Sequence, residues 1–130
     1  MSEPRHGRAD EFAATPEDTA RAKARMAAAF DTVRRAVSLQ THASGGDDPV
    51  AVAAVAANAR LAMSAGSTYL LRRLSPATPP RLAEAVRAFA ELLEDIAMNA
   101  LAGFGNDHPE QAARLQQAEL ASERVAVLCN

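Results

Sequence analysis

At four places in this chain a polar residue followed directly by proline opens a long helix-forming stretch. The pairs are Thr15-Pro16, Asp48-Pro49, Thr78-Pro79 and, after Asp107, His108-Pro109. Proline is tolerated at the first position of a helix because its missing N–H would have no partner there, and Ser, Thr, Asp or Asn just before it can cap the free amides. Glu17 and Asp18 strengthen the first start by placing negative charge at the positive helix end. Between the starts stand breakers: Gly45-Gly46, Ser75-Pro76 and Gly103-Phe104-Gly105, with Gly103 placed as a left-handed C-terminal cap. The punctuation predicts helices over Pro16–His42, Pro49–Leu74, Pro79–Ala102 and Pro109–Leu128. Each is roughly 30 to 40 Å long. Short connections force consecutive helices to run antiparallel, so the expected fold is all-α, an up-down-up-down antiparallel four-helix bundle over residues 15–130 behind a disordered tail at 1–14.

Composition agrees. Alanine fills 32 of the 130 positions, Trp is absent and Ile96 is the single isoleucine, so helix formers dominate and β-formers are scarce. The length suits one domain that buries its core without disulfide or metal support. Cys129 is the only cysteine, which excludes an internal disulfide and a cysteine-based zinc framework and fits a reducing, cytoplasmic compartment. The net charge of −2 gives no global attraction to nucleic acid or to an acidic membrane. Residues 1–14 lack the apolar centre of a secretory signal. Val50 to Leu71 is the longest weakly polar run. With Asn58 and Arg60 at its middle and alanine as its main component, it reads as a buried helix of a soluble protein and not a membrane span.

The third segment has the clearest amphipathic pattern. Leu82, Val86, Phe89, Leu93, Ile96 and Ala100 share one face, while Glu84, Arg87, Glu91 and Asp95 share the other. The first segment has one stripe, Met26, Phe30, Val33 and Val37. The second and fourth carry more apolar surface than a single bundle needs. The second is apolar nearly all round, and the fourth shows a second stripe of Ala113, Leu120 and Val127. A second copy of the chain is the expected cover, which makes the protein a homodimer. Val52, Val55, Met63, Tyr69, Leu120 and Val127 are the expected interface residues.

Signatures of chemistry are few. The chain has no phosphate-binding glycine loop, no His-Glu-x-x-His, and no Glu followed three residues later by His, as a di-iron bundle requires. No catalytic residue and no cofactor is expected. Antiparallel topology gathers His42, Asp47, Asp48, Asn106, Asp107 and His108 at one end of the bundle. Among these, His42, Asp107 and His108 are the candidate ligands for a divalent metal, and a metal-dependent enzyme is the third functional reading. Arg72, Arg73 and Arg81 gather at the other end as candidates for an anion or an acidic partner. The leading expectation is a non-catalytic bundle acting through protein–protein contacts, without nucleic acid or membrane. The second reading is a small-apolar-ligand binder with an interhelical cavity lined by Met26, Met63, Met98 and Tyr69.

Overall fold

The computed structural model describes residues 13–130. The expected disordered tail therefore lies outside the described residues, save for Ala13 and Ala14, which are exposed and non-helical. Among the described residues the regular elements are four helices: α1 (Pro16–Thr41), α2 (Pro49–Arg72), α3 (Pro80–Leu101) and α4 (Pro109–Cys129). α1 packs on α2, α2 on α3, α3 on α4, and α4 closes the ring against α1. Lys23 Nζ near the start of α1 donates to the carbonyl of Asn130 at 3.0 Å, tying the first and last helices at one end. The up-down-up-down bundle is the observed architecture.

The helix starts show which caps work. Thr15 and Asp18 form a reciprocal capping box: the Asp18 amide donates to Thr15 Oγ1 at 3.0 Å and the Thr15 amide donates back to Asp18 Oδ2 at 3.3 Å. Hydrogen bonding to Thr15, with Arg21 adding, holds the Asp18 carboxyl below its ordinary value. Asp18 therefore favours the folded chain above the unfolded carboxylate range, and that contribution fades as pH falls through its depressed value. Asp48 caps α2 by accepting from the Val50 amide at 3.0 Å. The third start differs from expectation. Pro79 is the cap and Pro80 opens α3, because Thr78 turns its hydroxyl back to accept from the Ser75 amide at 3.0 Å. Thr78 thus closes the α2–α3 turn and does not cap. The end of α3 is a Schellman motif around Gly103 (φ +100°): the Gly103 amide donates to the Ala100 carbonyl and the Phe104 amide to that of Asn99.

The expected seam of α3 is the centre of the core. Leu82, Val86, Phe89, Leu93 and Ile96 are buried against Met26, Phe30 and Val33 of α1 and Leu70 of α2. Phe30 and Phe89 meet edge to face with centroids 5.7 Å apart, joining α1 to α3 across the interior. Two small residues let α2 approach closely: a β-carbon on Gly66 would meet Val33 Cγ1 at 2.8 Å, and buried Ser67 donates to the Ala90 carbonyl at 2.8 Å. α4 contributes Ala118, Val125 and a fully buried Gln111, which donates to the Ile96 carbonyl at 2.9 Å and accepts from Arg114. Replacing Phe89 by Ala is expected to lower unfolding stability by about 3–5 kcal/mol in urea titration. Glu91→Ala, on the solvated face of the same helix, should change it by less than about 0.5 kcal/mol.

Candidate functional site

The second helix departs most from what its sequence suggests. Expected to be buried, it buries only Met63, Gly66, Ser67 and Leu70, all in its second half. By length and composition it is also apolar enough to cross a membrane. α2 thus presents two apolar faces, one pointing into the bundle and one away from it.

The inward face begins with Val52, Val55, Ala56 and Ala59 and continues into Met63. Over that first half the bundle is not filled. A cleft of about 480 Å³ opens between these residues, Ile96 and Ala100 of α3, and Leu115 of α4. Gln40, Thr41, Ser44 and Asn106 supply its polar groups, and Arg60 is its single charged residue. The cause is side-chain size. Where the other half of the bundle sets Phe30, Phe89 and Leu70 toward one another, this half lines its interior with no aromatic ring and interrupts Val52, Val55, Met63, Ile96 and Leu115 with Ala56, Ala59 and Ala100. Gly45 holds the α1–α2 loop tightly against the first turn of α2: a β-carbon there would fall 2.7 Å from Val52 Cα.

The outward face carries Val50, Ala54, Ala57 and Leu61 at spacings of four, three and four, all exposed. Val50 is 76% exposed and Leu61 64%. No Asp or Glu occurs anywhere in α2, and its two arginines, Arg60 and Arg72, leave the first three turns of this stripe uncharged. Leu39, Met98, Leu101 and Phe104 add exposed apolar surface around the same end of the bundle.

The expected interface residues divide among these surroundings. Met63 is only 8% exposed and belongs to the core, so it is not an outward contact. Val52 and Val55 line the cleft. Tyr69 packs half-buried against the core, with the Arg73 guanidinium carbon 3.3 Å from its ring centre. Leu120 and Val127 are exposed, as an interface role requires, but α4 lies across the ring from α2. The outer faces of α2 and α4 therefore point to opposite sides and do not form one patch. The outer stripe Val50, Ala54, Ala57, Leu61 was hidden in sequence, since alanine gives no sign of which side of a helix faces solvent.

The two polar ends are less convergent than the topology suggests. His42 Nδ1 lies 2.8 Å from the Ser38 carbonyl of its own helix, and Asp48 is occupied as a cap. His108 is the cap residue of α4 without a side-chain cap bond; its ring meets Phe104 at 4.9 Å, and its Nδ1 is buried without a hydrogen-bond partner. Among the described residues no three His, Cys, Asp or Glu side chains gather as a metal site, so His42, Asp107 and His108 are not brought together as ligands. At the other end Arg73 is held by Tyr69, donating to its carbonyl at 3.0 Å, and Arg21 is paired with Asp18 at 2.6 Å. Arg72 and Arg81 are exposed beside them. Burial pushes the Cys129 thiol above its ordinary value, which keeps it protonated and poorly nucleophilic at neutral pH.

No protein-family model, no curated protein and no solved structure matches this chain. Placing Arg at Met63 is expected to unfold the bundle, because an unpaired charge would be buried in its core. Circular dichroism should show loss of most helical signal; a fully helical variant would put Met63 outside the core.

Proposed function

We propose that the chain is a non-catalytic helical-bundle protein that acts through protein–protein contacts, first of all with a second copy of itself through the outer face of α2. The exposed stripe Val50, Ala54, Ala57 and Leu61 carries this reading. The stripe is self-complementary. Antiparallel pairing about a two-fold axis between Ala54 and Ala57 sets Val50 against Leu61 of the other copy, with alanines facing each other at the centre. Large residues at the ends and small ones in the middle let two helix backbones approach closely, as a symmetric interface requires. Uncharged over this stretch, the stripe opposes no like charges when doubled. Soluble monomers rarely leave a larger apolar patch than a few hundred Å² uncovered, and pairing removes it from water on both copies.

Leu120 and Val127 then serve a separate contact on the opposite side of the bundle, available to a further partner of the assembled dimer. A single half-buried thiol supports a reducing compartment, the cytoplasm, for such an assembly. Arg60 near the middle of α2 counts against a membrane as the cover, since a charge at the bilayer centre is costly.

Light scattering after size exclusion is expected to give a dimer at tens of micromolar. Leu61→Arg should shift it to monomer with the helical signal kept, while Cys129→Ser and reducing agent should leave the dimer intact. A wild-type protein that stays monomeric throughout that range contradicts the reading.

A further inference from the structure

The cleft at the loop end lies on the opposite side of α2 from the stripe just described, and its lining has a definite chemical character. We infer that it is a binding site for a small amphiphile, an apolar chain or ring carrying one anionic head group, with Arg60 holding the head.

Its size comes first. A volume of about 480 Å³ falls within the range of about 300–1,000 Å³ typical of small-molecule sites. The walls are apolar side chains from three helices: Val55, Ala59, Met63, Ile96, Ala100 and Leu115. Such walls give water few partners and gain by receiving an apolar body. The end of α1 and its following loop, α2, α3 and α4 all line it at one end of the bundle, and it opens to solvent past the exposed Val52 and Ala56. A space of about 480 Å³ lined from four regions of the chain at one end of the bundle fits a small molecule.

Charge selects the head group. Arg60 is half-buried, and the ion pairs among the described residues are Asp18–Arg21, Asp31–Arg35 and Glu110–Arg114, none of which includes it. Its own helix has no Asp or Glu with which to pair, and no carboxylate lines the cleft. A guanidinium with free donors at the edge of an apolar cleft complements a carboxylate or a similar oxyanion, which it can engage with two parallel hydrogen bonds. Gln40, Thr41, Ser44 and Asn106 add neutral hydrogen-bonding groups to the lining. A larger and more open depression of about 650 Å³ at the opposite end differs in that a carboxylate, Asp18, stands in its wall beside Arg21 and Arg25.

The test uses the full chain and three ten-carbon probes at concentrations below micelle formation: decanoate, decanol and decyltrimethylammonium. Calorimetry is expected to show saturable binding of one decanoate per chain, with decanol about tenfold weaker and the cation weaker still. Arg60→Gln should weaken decanoate about tenfold and leave decanol unchanged. Ala56→Phe, which fills the cleft, should remove binding of both while circular dichroism remains helical. Decanoate-induced amide shifts in the wild-type protein should centre on residues 55–60 and Ala100, a readout that holds even if the filled variant misfolds. The Leu61→Arg variant should bind decanoate as the wild type does, which separates this site from the self-association face. Absence of saturable decanoate binding, affinity indifferent to head-group charge or to Arg60→Gln, or shifts confined to the outer stripe would each overturn the proposal.

Discussion

Near its second half α2 is fastened to both neighbours at once, and the rest of the molecule's surface follows from that fastening. Gly66 admits Val33 of α1 to a distance that a β-carbon would forbid, Ser67 hydrogen-bonds the backbone of α3 at Ala90, and Leu70 is fully buried between them. The Ser67 bond is a neutral one inside the protein, of order 1 kcal/mol net, but it also fixes the rotation of α2 about its own axis. Once Gly66, Ser67 and Leu70 face inward, helical periodicity dictates what the preceding four turns present. Val52, Ala56, Ala59 and Met63 must turn toward the bundle, and Val50, Ala54, Ala57 and Leu61 must turn away. Neither set meets a complete complement within one chain. The inward set is too small to fill the space opposite it, and the outward set has no neighbouring element.

Alanine is the common cause of both features. As a helix former it costs nothing, which is how a sequence so poor in large apolar residues still makes long helices. As core material it supplies one carbon. The well-filled half of the bundle is the half where Met26, Phe30, Phe89, Leu70, Leu82 and Val86 meet, and its edge-to-face aromatic pair lies there too. Toward the α1–α2 and α3–α4 loops large side chains thin out, and a cleft remains instead of a core. The well-packed half thereby holds the helices in register for the open half.

Much of the fold was legible in the sequence because its signals are local and carry a mechanism. Cap-and-proline pairs placed three helix starts to the residue, and the strongly amphipathic α3 identified the core seam from Leu82 to Ile96. The third start shifted by one residue because Thr78 found a nearer partner in Ser75, a competition between cap and turn that sequence spacing does not resolve. Gln111 in the core was not foreseen, since a polar residue at a buried position declares itself only through its bond to the Ile96 carbonyl. The orientation of α2 was the least legible feature of all. Its apolar residues occupy every side, so periodicity carries no phase. The only phase markers are Gly66 and Ser67, whose meaning depends on Val33 and Ala90 in other helices. That is why Met63, an outward contact by sequence, lies in the core and Val55 and Tyr69 lie half-buried, while Val52 is exposed at the mouth of the cleft. The charged neighbours of the cleft were legible in one respect: a helix of 24 residues with no acid leaves Arg60 without a partner of its own.

Amide hydrogen exchange along α2, followed as a function of protein concentration, tests the central claim most directly, because it reads the two halves of the helix separately. In dilute solution the amides of residues 66–70 should exchange only through global unfolding, while those of residues 52–61 should exchange faster through local opening. Raising the concentration should slow exchange across residues 52–61 and leave the faces of α1 and α3 unchanged. Uniform protection along α2 that does not depend on concentration would contradict the account, because the helix would then be fully packed within a single chain.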